Sequence, residues 1–183
     1  MHLTVHRLDE DRIPDFFHLH HADNDAGWCF CVAWWVRAWQ GWSERTSLQN
    51  RTLREALFRV GQLDGYLLYA DDEPVGWCQV GLRDRLGKLM RQFELEQDPE
   101  TWAITCFLIA PDFRGRGVAS FLLDAVLNDL EQRGVQRVEA FPKRGGNLDE
   151  YDLWNGPEAM FLAAGFVVVD DDPARPVLAL ELG

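Results

Sequence analysis

A chain of 183 residues suits one domain with a proper core, and 47% hydrophobic with 26% charged residues describe a folded polymer rather than a disordered one. With 18 basic against 30 acidic residues the net charge is −12, which excludes nucleic acid or an anionic membrane surface as the main partner, since both need a basic patch. No apolar run is long enough to cross a bilayer, and Met1–Glu10 lacks the basic-then-apolar layout of a secretory signal. A cytoplasmic protein with its four cysteines (Cys29, Cys31, Cys78, Cys106) reduced is therefore expected.

Leu3–Leu8 alternates and predicts a strand, followed by a helix over Asp11–His21 with Pro14 near its start. Trp28–Trp42 is apolar and aromatic throughout, and no period decides its form. Arg51–Val60 places Leu53, Leu57 and Val60 on one helical face ahead of Gly61. Gly65–Ala70 and Val75–Leu82 read as a hairpin linked by Asp71-Asp72-Glu73-Pro74, and Arg83–Asp98 as loop with a helical turn. Thr101–Ile109 is apolar on both faces, as at the centre of a sheet.

Val118–Arg133 carries the clearest helical stripe (Val118, Phe121, Leu122, Ala125, Val126, Leu130) and ends at Gly134. Gln136–Phe141 follows, giving strand, helix and strand with a right-handed parallel crossover. Lys143–Trp154 is a polar insertion. After it come a short helix over Pro157–Ala164, closed by Gly165, and strands at Phe166–Val169 and Val177–Leu182. Without repeats or linkers, residues 1–183 read as a single α/β domain. It has a central mixed sheet of six or seven strands flanked by about four helices.

The chemistry concentrates where the central strand meets the long helix. Pro111 ends the strand, and Arg114-Gly115-Arg116-Gly117 turns directly into Val118-Ala119. A helix start offers unpaired N–H groups and partial positive charge, glycines let an anion approach, and two arginines add charge in an acidic chain. A glycine-rich turn that binds nothing is the plain alternative. A dinucleotide fold is another, since Glu139 lies about twenty residues beyond Gly117, but Ser120 holds its third glycine position. A phosphate- or nucleotide-binding α/β domain is also open at this point.

Arg114-Gly-Arg-Gly117-Val-Ala119 resembles the signature of the GNAT superfamily of acetyl-CoA-dependent N-acetyltransferases, Arg/Gln-x-x-Gly-x-Gly/Ala at the start of the long helix. Ala159–Phe166, a short helix ending in Gly165-Phe166, is similar to a second family feature, and the order of elements fits the family fold. The resemblance implies an acyl-CoA-dependent N-acyltransferase whose co-substrate is acetyl-CoA and whose acceptor is a small-molecule or peptide primary amine. It implies a pyrophosphate held by N–H groups from Phe113 through Ala119 (Arg114, Gly115, Arg116, Gly117, Val118 and Ala119 among them), and a pantetheine arm along Phe107, Leu108 and Ile109. The thioester carbonyl would be polarised by the backbone N–H of Leu108 or Ile109, an oxyanion-hole arrangement. Direct attack by the amine needs no cysteine nucleophile, so Cys106 is expected to be a packed core residue.

Phe161 stands where many members carry a tyrosine that protonates the departing thiolate, so Tyr151 or water is expected to serve. Glu94, Glu96 and Glu139 are candidate general bases, of which Glu139 is carried forward and Glu94 and Glu96 read as solvated. The fold with the proton donor lost is also compatible with a non-catalytic acyl-CoA sensor.

The segment around Trp28, Phe30 and Trp34 falls on the acceptor wall in the family fold and could grip an amine, with core packing or a homodimer interface as alternatives. It resembles tryptophan–cysteine segments of bacterial members, as does Gly76-Trp77-Cys78. His18, His20 and His21 before Cys29 and Cys31 do not have a standard zinc spacing, so no metal is expected.

Overall fold

The computed structural model describes residues 1–20 and 27–183, with Glu150 described for its backbone only. Seven strands form one sheet: β1 (Leu3–Arg7), β2 (Tyr66–Ala70), β3 (Glu73–Leu82), β4 (Thr101–Ile109), β5 (Arg137–Ala140), β6 (Val167–Asp170) and β7 (Val177–Glu181). Their order is β1-β2-β3-β4-β5-β7-β6. Every neighbouring pair is antiparallel except β4 and β5, which run parallel across the long helix. The helices are α1 (Ile13–Leu19), α2 (Ser47–Arg59), α3 (Gly87–Gln92), α4 (Val118–Gln132) and α5 (Glu158–Ala163). This is the expected α/β class, with one helix more than expected.

Alternation along the strands divides the core into two faces. Cys78, Val80, Ile104 and Phe107 turn toward α4, where the stripe read from the sequence supplies Val118, Leu122, Val126 and Leu130. Trp77, Cys106 and Leu108 turn the other way, onto Phe16 and Leu19 of α1 and Phe58 of α2. Each such fully buried side chain contributes about 1.5–3 kcal/mol of transfer free energy. Gly65, at φ +152°, backs directly onto the Trp77 ring, and a Cβ there would lie 2.1 Å from it.

Three local readings shift. The hairpin turn is Asp71-Asp72 alone, with φ of 51° and 84°, so Glu73 and Pro74 already belong to β3. Aspartate tolerates the left-handed region that such two-residue turns require. Helix α2 begins four residues before the expected Arg51, because Thr46 and Gln49 form a reciprocal capping box. The first helix is split, with a 3-10 turn at Glu10–Arg12 capped by Asp9 and then α1; His21, expected to end it, lies outside the described residues.

Candidate active site

Strands β4 and β5 are in register only from Thr101 to Ile104 against Arg137 to Ala140. On the other edge of β4, the register with β3 slips between Gln79 and Val80, leaving Thr105 as an extra, bulged residue. Beyond it β4 follows β3 to Ile109 after β5 has ended, and one edge of β4 opens. Within this stretch the Phe107 N–H donates to the Trp154 carbonyl at 2.7 Å and the Ala110 N–H to Val75 at 2.8 Å. Successive amides alternate in direction, so the Leu108 N–H points into the ladder opposite Trp77, and the Ile109 N–H toward the open edge. The expectation for Leu108 is thereby corrected: of the two strand amides considered, the sheet engages Leu108 and turns Ile109 outward.

The turn after β4 has the features of an anion cradle. Gly115 and Gly117 are both left-handed, with φ of 68° and 74°, and a Cβ on either would meet nothing within 4 Å. Gly117 is the N-cap of α4 and no side chain caps that end, so the first amides of a 15-residue helix face outward with the helix dipole behind them. Arg114 folds back, its Nε donating to the Ile109 carbonyl at 2.9 Å, and Arg116 is exposed. Val118 is buried and Ala119 half-buried against the α4 core. The cradle therefore fits a pyrophosphate on backbone amides.

The proposed acid–base groups fare differently. Glu139 is 4% exposed, and both of its oxygens are occupied: Arg83 Nη1 binds Oε2 at 2.8 Å, and Arg137 binds Oε1 through Nε and Nη2 at 3.2 and 3.0 Å. It also lies opposite Ala103, at the closed end of the β4–β5 pair. This corrects the reading of Glu139 as a base, since its lone pairs are committed to two guanidinium groups. Tyr151 is 63% exposed on the 3-10 turn Glu150–Asp152. The hydroxyls of Tyr66 and Tyr69 are tied to Asp129 and Asp15. Phe161 is fully buried, ringed by Phe107 and Phe166, with its para carbon against Gly156.

Trp28–Trp42 forms a series of turns rather than a helix or strand. Phe30 and Cys31 take left-handed φ of 44° and 50°, and the buried Arg54 holds both carbonyls, at 2.9 and 2.5 Å, as well as Gln79 Oε1 at 2.8 Å. Cys31 is thereby brought over β4, where it is disulfide-bonded to Cys106, Cα to Cα 6.6 Å. The expectation of four reduced cysteines is corrected; Cys29 and Cys78 are the two that keep their thiols.

Of the expected acceptor contacts, Phe30 packs inside the α1–α2 core and is corrected to a core residue. Trp34 is also buried, with Nε1 donating to the Thr105 carbonyl at 3.3 Å and its ring beside Trp154. Trp28 is half-buried against Trp42. His20 stacks on Phe16 at 4.0 Å with Nδ1 on the Phe16 carbonyl, and burial pushes its imidazolium down to about 3. Among the described residues no three His, Cys, Asp or Glu side chains are grouped to hold a metal.

Sequence reading missed Arg54, Thr105 and Lys88. Lys88, inside the segment read as charged loop, is 6% exposed among the tryptophans, and burial, then Arg91, lowers its ammonium to about 8. A capping box before α2 was a legible signal for the helix that positions Arg54; nothing local marks Thr105 or Lys88.

The acetyltransferase (GNAT) family model matches residues 14–155, most of the chain, and the protein belongs to that family. It is an acyl-CoA-dependent acyltransferase with acetyl-CoA as co-substrate. Among solved structures, the PaiA N-acetyltransferase of Thermoplasma acidophilum, in complex with coenzyme A, aligns at a TM-score of 0.59 and 12% identity over 99% of each chain. An acetyltransferase from Thermus thermophilus aligns at 0.57 and 20% identity, covering 100% of this chain and 98% of its own. The ribosomal-protein-S18-alanine N-acetyltransferase of Escherichia coli aligns at 0.53 and 12%, covering 100% and 95%. These likenesses establish the fold. Among curated proteins no sequence match is found.

Proposed function

We propose that the protein transfers an acetyl or other short acyl group from acyl-CoA directly to a primary amine. The observation that carries this reading is the left-handed Gly115–Gly117 turn opening onto the uncapped start of α4, beside the outward edge of β4. Backbone amides of the turn bind the pyrophosphate, with Arg114 and Arg116 adding charge. Acetyl-CoA supplies an activated thioester. The Ile109 N–H, fixed by the strand, stabilises the negative charge that develops on the thioester oxygen. The attacking nitrogen gives up its proton to water, and Tyr151, whose hydroxyl is not tied to a carboxylate as those of Tyr66 and Tyr69 are, or a water molecule returns one to the departing thiolate.

Calorimetric titration with acetyl-CoA tests the cofactor site. Micromolar binding is expected, and its loss is expected in the double variant Arg114→Ala with Gly117→Glu, whose new side chain enters open space. Release of free CoA with a primary-amine panel tests transfer. A folded wild-type protein that binds no acetyl-CoA would overturn the assignment.

A further inference from the structure

Lys88 is a buried cation with no anion against it among the described residues. Its Nζ lies 3.4 Å from the centre of the Trp39 ring, 5.6 Å from Trp34 and 5.7 Å from Trp42, and has no hydrogen-bond partner. Indole faces attract an ammonium through their quadrupole but accept none of its three N–H bonds. A buried ammonium left in this way is costly. The charged neighbour acting on it is Arg91, a second cation.

The same wall holds two more unmet polar atoms. Trp35 Nε1 and Thr105 Oγ1 are buried without partners and line a narrow cleft together with Asp64, Gln79, and Arg85 and Leu86 just ahead of α3. The wall thus carries unmet polar atoms beside one carboxylate, Asp64, which Arg85 already holds at 2.8 Å. It is also close to the chemistry, because Trp34, one side of the Lys88 cage, binds the Thr105 carbonyl at the β4 bulge. Trp39 is the outer side of the cage, 39% exposed, with its Nε1 donating to Gln92 Oε1.

We propose that Lys88, framed by Trp34, Trp39 and Trp42, receives a carboxylate on the acyl acceptor, so that the substrate is an amine that also carries an acid group. This rests on the acyl-transfer reading above. A flat monoanion suits one point-charge ammonium between flat indoles.

The test uses glycine, β-alanine and 4-aminobutyrate, each beside its amide, in a CoA-release assay with acetyl-CoA. At least one acid is expected to exceed its amide about tenfold in kcat/KM, the size of one charge-assisted hydrogen bond. Lys88→Met, which removes a buried unpaired charge and keeps the volume, is expected to fold, to bind acetyl-CoA, and to lose that preference. Amides used as well as acids by the wild-type protein, or a preference that survives in Lys88→Met, would overturn the proposal. If no amine is acylated, the acyl-transfer reading fails separately, and indole fluorescence in the presence of CoA then decides on Lys88. Saturable quenching by an acid, but not by its amide, and only with Lys88 present, supports it; no saturable response overturns it.

Discussion

Replacing Cys31 by serine isolates the cross-link between the aromatic segment and β4. The bond joins residues 75 apart in sequence, and closing a loop of that length removes about 4 kcal/mol of chain entropy from the unfolded state. Arg54 keeps its bonds to the carbonyls of residues 30 and 31, so the variant should fold, with the cost falling mainly on the unfolded side. In a domain of this size about 1 kcal/mol moves the melting temperature by roughly 2–4 °C, so Cys31→Ser should melt roughly 10 °C lower. Thermal melts followed by circular dichroism measure this. Alkylation under denaturing conditions provides the covalent check: two cysteines, Cys29 and Cys78, should react without reductant and all four with it. Four reactive thiols in unreduced protein, or a variant that melts with the wild type, would refute the reasoning. The same experiment bears on the compartment, since such a bond persists where thiols are not kept reduced.

Glu139→Gln should cost about 1.5–3 kcal/mol, because it removes the closer of the two carboxylates on the buried Arg83 and leaves Asp84 at 3.6 Å. Denaturant melts read this, and kcat in the folded protein should barely change; a large fall in kcat at unchanged stability would restore Glu139 as a base. His20 has a folded pKa of about 3 against 6.5 unfolded, so the unfolded state binds an extra proton between those values and stability falls as pH drops below 6.5. Between pH 7.5 and 5 this one group costs about 2 kcal/mol. His20→Phe keeps the stacking, leaves the Phe16 carbonyl its bond from the backbone N–H of residue 20, and should lose that share of the pH slope; equal slopes would show that the imidazole is not held neutral. Phe161→Tyr would press a hydroxyl toward Gly156, where even a Cβ would lie 2.7 Å from the ring's para carbon. It should therefore destabilise by about 1–3 kcal/mol without raising kcat, and a stable, faster variant would show that the slot can still donate a proton.

What could be read from the sequence was local. The apolar run Thr101–Ile109, the stop at Pro111, the paired glycines and the Val118–Leu130 stripe each obey short-range rules, and together they marked the strand, the turn and the helix that follows it. The failures were of two kinds. Glu139 reads as an available carboxylate because, of the two arginines that capture it, Arg137 two residues earlier takes one oxygen and Arg83, which takes the other, lies 56 residues earlier on a segment that looks like solvated loop. The Trp28–Trp42 segment has no period because it has no regular structure: its left-handed residues are imposed by Arg54 from α2 and by Cys106 from β4. Leu108 and Ile109 were indistinguishable because residue type carries no information about which way an amide points.

These long-range ties share a destination. Trp34 binds the Thr105 carbonyl, Cys31 is bonded to Cys106, and Trp154 accepts from the Phe107 N–H, so three successive residues of β4 anchor the tryptophan segment and Trp154. Two residues further on is the outward Ile109 N–H, and Arg114 of the cofactor turn returns to the carbonyl of that same residue. A strand held by a ladder on one edge cannot move one residue without its neighbours. The tryptophan segment, the outward Ile109 N–H and the start of the glycine turn are therefore referenced to one rigid segment of five residues. Substitutions in the tryptophan segment should consequently register in the chemical step as well as in acceptor binding, since loosening the wall also loosens the strand that aims the amide.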